Sequence, residues 1–145
     1  MSPALVVDAS IALKWVLPEH DSDLAETLLT HGAALHAPAF IFVETANVLW
    51  VKMRARMLTE KEARDSLRRL RSAPLVLWGG EEPLPETLSL ARQLDHAVND
   101  CAYLALALHL DGGYVTADRR FWRKARAKPQ LAGRVLRLED LTAAS

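Results

Sequence analysis

ALVVDAS, residues 4–10, sets four apolar side chains in a row and ends them on a carboxylate, Asp8. A continuous aliphatic run without polar alternation predicts a strand buried on both faces, the habit of a parallel sheet. Asp8 at its carboxyl end has two readings. It can cap a helix beginning near Ser10, or it can be the first member of a site. The rest of the chain has to separate them.

Working outward, Ser10 to Val16 predicts a short helix closed by Pro18, and Asp21 or Ser22 caps a second helix to about Thr30. ALHA (34–37) is a short strand, and Pro38 suits the first position of a long helix to about Met57. Thr59 to Glu62 is a capping box for a helix to about Ser72. LVLW (75–78) is a third strand, Pro83–Leu94 a helix, and Cys101–Leu110 a very apolar helix after the break HAVND. YVTA (114–117) and RVLRL (134–138) complete five strands that alternate with helices. The expected fold is α/β: a three-layer α/β/α domain over 1–145 with a mostly parallel, about five-stranded sheet. In such sheets ligands bind beyond the carboxyl ends of the strands. Asp8 and Asp118 then open on one edge.

The composition agrees with a folded chain: 50% of the 145 residues are hydrophobic and 25% charged. No apolar run is long enough for a membrane span, the first residues lack the features of a signal peptide, and the single Cys101 excludes an internal disulfide. A cytoplasmic protein with no membrane association is expected. Net charge is zero but unevenly spread, and residues 119–137 hold eight basic side chains and no acid. That block is either a solvated face or a surface for a polyanion.

Four acids need a joint explanation. Glu44 interrupts FIFVETANVLW, an otherwise apolar helix in which a charge is costly unless paired or solvated. Asp100 opens DCAYLALALHL, and Asp118 closely follows the fourth strand. Each alone could be a cap or a favourable charge at a helix start. Converging, they would repel by about 4 kcal/mol per pair at ~4 Å and an effective dielectric of 20. Hard divalent cations neutralise such a cluster, and an all-oxygen set selects Mg²⁺ or Mn²⁺. Asp8, Asp100 and Asp118 are the expected main ligands, with Glu44 completing the site directly or through water. The chemistry such a site serves is phosphoryl chemistry, with the metal making a hydroxide nucleophile.

The order VVDAS, VETANVLW, NDCAYLALAL and VTADRRF resembles the PIN-domain family, and most closely the VapC toxins of bacterial toxin–antitoxin pairs. The similarity runs from about residue 4 to 140. It implies an Mg²⁺- or Mn²⁺-dependent endoribonuclease acting on RNA, silenced by a cognate antitoxin protein and forming a homodimer. Position by position, Asp8, Glu44, Asp100 and Asp118 match the acidic quartet, Ser10 and Thr116 match supporting hydroxyls, and Asn47 matches the polar residue after the glutamate. Asn99 departs from the aromatic residue common there. A catalytically idle PIN-like binding module and a small-substrate metal-dependent phosphohydrolase stay open as alternatives.

Arg119 and Arg120, directly after Asp118, are positioned to hold RNA phosphates or an acidic partner, if they are not simply solvated. The four tryptophans read as core or interface, Cys101 as inert, and His96 as structural. No glycine-rich phosphate loop is present.

Overall fold

The computed structural model describes residues 4–80 and 83–143, so the ends of the expected 1–145 domain lie outside the described residues. The ALVV run forms β1 (Leu5–Val7), and Asp8 caps α1 (Ala9–Val16). There follow α2 (Ser22–Thr27) with a 3₁₀ turn at Leu28–Thr30, β2 (Leu35–Pro38), α3 (Ile41–Arg54) and α4 (Glu60–Arg71). Next come β3 (Leu75–Trp78), α5 (Leu84–Leu94), α6 (Val98–His109), β4 (Gly113–Val115), α7 (Arg119–Arg126), β5 (Val135–Leu136) and α8 (Leu138–Ala143).

The five strands pair in the order β3-β2-β1-β4-β5, and every pair is parallel. β1 therefore lies at the centre, with β2 on one side and β4 on the other. The connections leave β1 and β4 in opposite directions across the sheet, which opens a crevice between their carboxyl ends.

Alternation along the strands feeds two cores. Leu5, Val7 and Val115 pack with Ile11, Trp15, Leu28, Leu70 and Leu138 on one face. Val6 and Tyr114 pack with Leu90, Leu94, Leu104, Phe121 and Ala125 on the other. A smaller cluster of Leu13, Leu49 and Ala63 joins α1, α3 and α4. Burial on both faces is why β1 carries no polar residue until it ends.

Several boundaries differ from the sequence reading. Pro38 ends β2 instead of opening a helix, because it pairs with Trp78 of β3 and a two-residue turn precedes Ile41. Glu44 consequently sits in the first turn of α3, and α3 stops at Arg54, two residues before Arg56 takes a left-handed φ of 59°. α6 begins at Val98, which puts Asp100 at its third position instead of its cap. RVLRL divides: only Val135–Leu136 pair with β4, and α8 starts at once. The capping box at Thr59–Glu62 forms with both hydrogen bonds in place.

Candidate metal centre

Asp8 is 7% exposed and holds four hydrogen bonds. Ser10 Oγ donates to Oδ1 at 2.5 Å, and the Ile11 backbone N–H donates to the same oxygen at 3.2 Å. Thr116 Oγ1 and Tyr114 Oη donate to Oδ2 at 2.6 and 2.5 Å. Burial pushes the Asp8 carboxyl above its ordinary value, and the Ser10, Thr116, Tyr114 and Ile11 bonds push the other way. The two opening readings of Asp8 are therefore both met in its geometry: it caps α1 and it faces a cavity.

Ser10 and Thr116 each work in two directions. While donating to Asp8, Ser10 Oγ accepts from the Ala117 N–H and Thr116 Oγ1 from the Asp118 N–H, both at 3.1 Å. They tie the turn after β1 to the turn after β4. Asp118 in turn caps α7 by accepting from the Phe121 N–H at 3.1 Å.

Glu44 reaches the same edge from α3. Tyr103 Oη donates to its Oε1 at 2.8 Å and Asn99 Nδ2 to its Oε2 at 3.0 Å. Tyr103 and Tyr114 lie stacked, ring centres 5.6 Å apart, beneath the two carboxylates they serve. Burial, then the neighbouring Glu44 or Asp8 charge, raises both phenols well above their ordinary value, so each stays a donor. Neither tyrosine was singled out from the sequence, because an aromatic residue in an apolar element reads as core. Asn99, noted there only as a departure, is a Glu44 partner.

Asp8, Glu44, Asp100 and Asp118 line one open cavity of about 380 Å³ together with Ser10, Lys14, Glu19 and Tyr103. Among the described residues, Asp8, Glu44 and Asp118 have no Lys or Arg ion-pair partner. Lys14 donates instead to the His20 carbonyl oxygen. One ligand atom from each of His96, Asp100 and Asp118 falls within 4.8 Å of the others. Carboxylate oxygens are the donors that hard divalent cations take, so Asp100 and Asp118 are the pair here that could hold one. His96, expected to be structural only, has Nε2 2.7 Å from Asp100 Oδ2. Its spacing of four residues from Asp100 in a continuous helix would have been the sequence signal, but His96 lies in the break between α5 and α6.

Other expected residues lie elsewhere. Asn47 is exposed on α3, and Val48 takes the place on the cavity wall. Arg119 pairs with Glu139 at 3.1 Å, and Arg120 is exposed outside the cavity lining. Much of the basic block is engaged internally: Arg134 pairs with Asp111, Arg137 with Asp140, and Arg126 and Arg137 cover the Trp122 ring at 5.0 and 4.1 Å. Cys101 is buried, its thiol pushed up to about 11 by burial and then by Asp100.

With this geometry in view, a PIN domain family model matches residues 5–127. The chain belongs to the PIN domain family. Beyond the matched span the same sheet continues with β5, which pairs with β4, and α8 follows it. It is 34% identical over 122 residues to Ribonuclease VapC3 of Pyrobaculum aerophilum, covering 83% of this chain and 93% of the relative. Among solved structures it resembles PAE2754 of Pyrobaculum aerophilum, with a TM-score of 0.73, 22% identity, and 98% and 88% of the two chains covered. Mycobacterium tuberculosis VapC20, described as a sarcin-ricin loop cleaving toxin, matches with a TM-score of 0.61 at 12% identity over 77% and 87% of the chains. VapBC2 of Rickettsia felis, solved on a DNA fragment from its promoter, matches with a TM-score of 0.61 at 13% identity over 92% and 98%. These structural likenesses establish the three-layer α/β/α fold.

Proposed function

We propose that this PIN domain is an Mg²⁺- or Mn²⁺-dependent endoribonuclease, the toxin of a toxin–antitoxin pair. The observation that carries the reading is the single cavity onto which Asp8, Glu44, Asp100 and Asp118 open, three of them without a basic partner among the described residues. The ribonuclease name of the 34% identical relative supports the activity.

In this reading Asp100 and Asp118 hold the cation, with Asp8 fixed behind them by Ser10, Thr116 and Tyr114. The bound cation supplies Lewis acidity toward the phosphodiester and activates the attacking water. Glu44, oriented by Tyr103 and Asn99, accepts a hydrogen bond from that water or completes the ligand set. Exposed Arg120 meets RNA phosphate at the rim, with Arg119 fixed beside it through Glu139. Asn47, outside the cavity lining, takes no part.

The antitoxin and the homodimer are part of the same proposal. The VapBC2 neighbour offers the precedent in its name for a partner protein. Val43, Trp50 and Val51 leave 72%, 52% and 53% of their surface open on α3, an apolar stripe suited to association with a second copy. Among the described residues no helix is long and apolar enough to cross a membrane, and a lone buried cysteine suits the cytoplasm.

The test is cleavage of total RNA by purified protein with Mg²⁺ or Mn²⁺, with and without EDTA. Cleavage that needs the cation and disappears in Asp100→Asn is expected. Undiminished cleavage by Asp100→Asn, or cleavage in EDTA, overturns the reading.

A further inference from the structure

His96 has both ring nitrogens engaged. Nε2 lies 2.7 Å from Asp100 Oδ2, and Nδ1 lies 3.3 Å from the Lys124 ammonium. Lys124 is itself anchored on the Asp95 carbonyl oxygen at 2.6 Å. The ring is wedged edge-on against Phe121 with centres 4.9 Å apart, and only 11% of the side chain is exposed. Distance alone would make His96 a third ligand beside Asp100 and Asp118.

The hydrogen-bond arithmetic says otherwise. An ammonium has three donors and no acceptor, so Nδ1 facing Lys124 must offer its lone pair. Nε2, facing the acceptor-only Asp100 carboxylate at 2.7 Å, carries a hydrogen that points at Asp100. A nitrogen that carries a hydrogen toward a carboxylate has no lone pair left for a metal.

We infer that His96 is a positioning residue outside the coordination sphere, and that Lys124 keeps it there by fixing its tautomer. The relay Lys124–His96–Asp100 ties down Oδ2 and leaves Oδ1 to the cation. It also sets metal choice. With Lys124 present the site is all oxygen and suits Mg²⁺ or Mn²⁺; without it the imidazole can move its hydrogen to Nδ1 and offer Nε2, making a mixed nitrogen–oxygen site that suits Zn²⁺. This inference rests on the metal-site reading above, since it specifies which side chains stay out of that site.

The experiment measures Mn²⁺ and Zn²⁺ affinity by calorimetry, and directly bound nitrogen by pulsed EPR of the Mn²⁺-loaded full chain. Wild type, His96→Ala, His96→Gln and Lys124→Met are compared, each checked for a wild-type circular dichroism spectrum. Wild type should bind Mn²⁺ without a directly coordinated nitrogen. His96→Ala should lose about 10–100-fold in Mn²⁺ affinity, the usual cost of removing a group that orients a ligand. His96→Gln, whose amide can still donate to Asp100, should recover most of that loss. Lys124→Met should raise the Zn²⁺-over-Mn²⁺ preference at least about tenfold and bring in a nitrogen signal. A coordinated nitrogen in wild type, or unchanged Mn²⁺ affinity in His96→Ala, overturns the relay while leaving the metal site standing. No Mn²⁺ binding by wild type overturns the metal-site reading and the relay with it. Lys124→Met is the informative variant if loss of the ring against Phe121 unfolds the histidine variants; an unchanged metal preference there also overturns the relay.

Discussion

Asp8 and Asp100 carry the same charge into the same cavity but are held very differently. Asp8 is nearly buried under four donors, two of them the buried hydroxyls of Tyr114 and Thr116. Asp100 has 30% of its side chain exposed and the His96 contact. Their truncations should therefore separate stability from function. In EDTA, Asp8→Ala strands the hydroxyls and removes the α1 cap, and should cost about 1–3 kcal/mol. Asp100→Asn keeps an acceptor for His96 and relieves like-charge repulsion, so it should melt at or above the wild-type temperature. Thermal unfolding by circular dichroism checks both, and equal losses in the two variants would contradict this division of roles.

At the scale of elements, the turn into β4 depends on a residue with no side chain. A Cβ on Gly112 would stand 2.1 Å from the Ala4 carbonyl oxygen, at the point where β4 docks beside β1. Gly112→Ala forces those strands apart and should cost about 1–3 kcal/mol, the usual range for overpacking; denaturant titration measures it. The α8 corner depends on charge instead. Arg137 clamps Asp140 through its guanidinium and its backbone N–H, both at 2.9 Å, and holds the Asp140 carboxyl below its ordinary value. A depressed carboxyl contributes stability above the unfolded value of about 3.9, and that contribution is lost as pH falls through the lower folded value. Asp140→Asn should thus lower the melting temperature at pH 7, and the gap to wild type should close as pH falls below the ordinary carboxylate range. A gap that persists there would show that the Asp140 contribution is not its charge.

The whole molecule couples the sheet to the site. The acids arrive from the ends of β1 and β4 and from α3 and α6, and in the proposed site a cation held by Asp100 and Asp118 joins α6 to the turn after β4. It binds the folded state alone, and at a hundred times its dissociation constant should stabilise by about 2.7 kcal/mol. Melting of wild type with and without Mn²⁺ reads this directly, and Asp100→Asn should gain much less. The proposed homodimer rests on a different surface, the α3 stripe. Trp50→Glu, at a half-exposed position away from the cavity lining, should turn a dimer into a monomer in sedimentation without loss of secondary structure. An unchanged sedimentation coefficient would remove the α3 stripe from the proposed interface.

The sequence by itself determined the alternation of strands and helices, the parallel sheet, and the four acids that interrupt or bound its most apolar segments. Those acids were legible because each interrupts or bounds an apolar stretch of sequence, as Glu44 does within FIFVETANVLW. Boundaries such as Pro38 were not, since proline suits a strand end as well as a helix start and only sheet pairing decides. What the tertiary structure alone decided is the company each acid keeps. Tyr114 lies 106 residues from Asp8, Tyr103 59 from Glu44, and Lys124 28 from His96. Their hydroxyls and ammonium meet those partners only because β4 pairs beside β1 in register and α6 and α7 pack on one face. A short-range pattern records whether a side chain is apolar, but the direction of its one polar atom is set by elements that the chain brings together later.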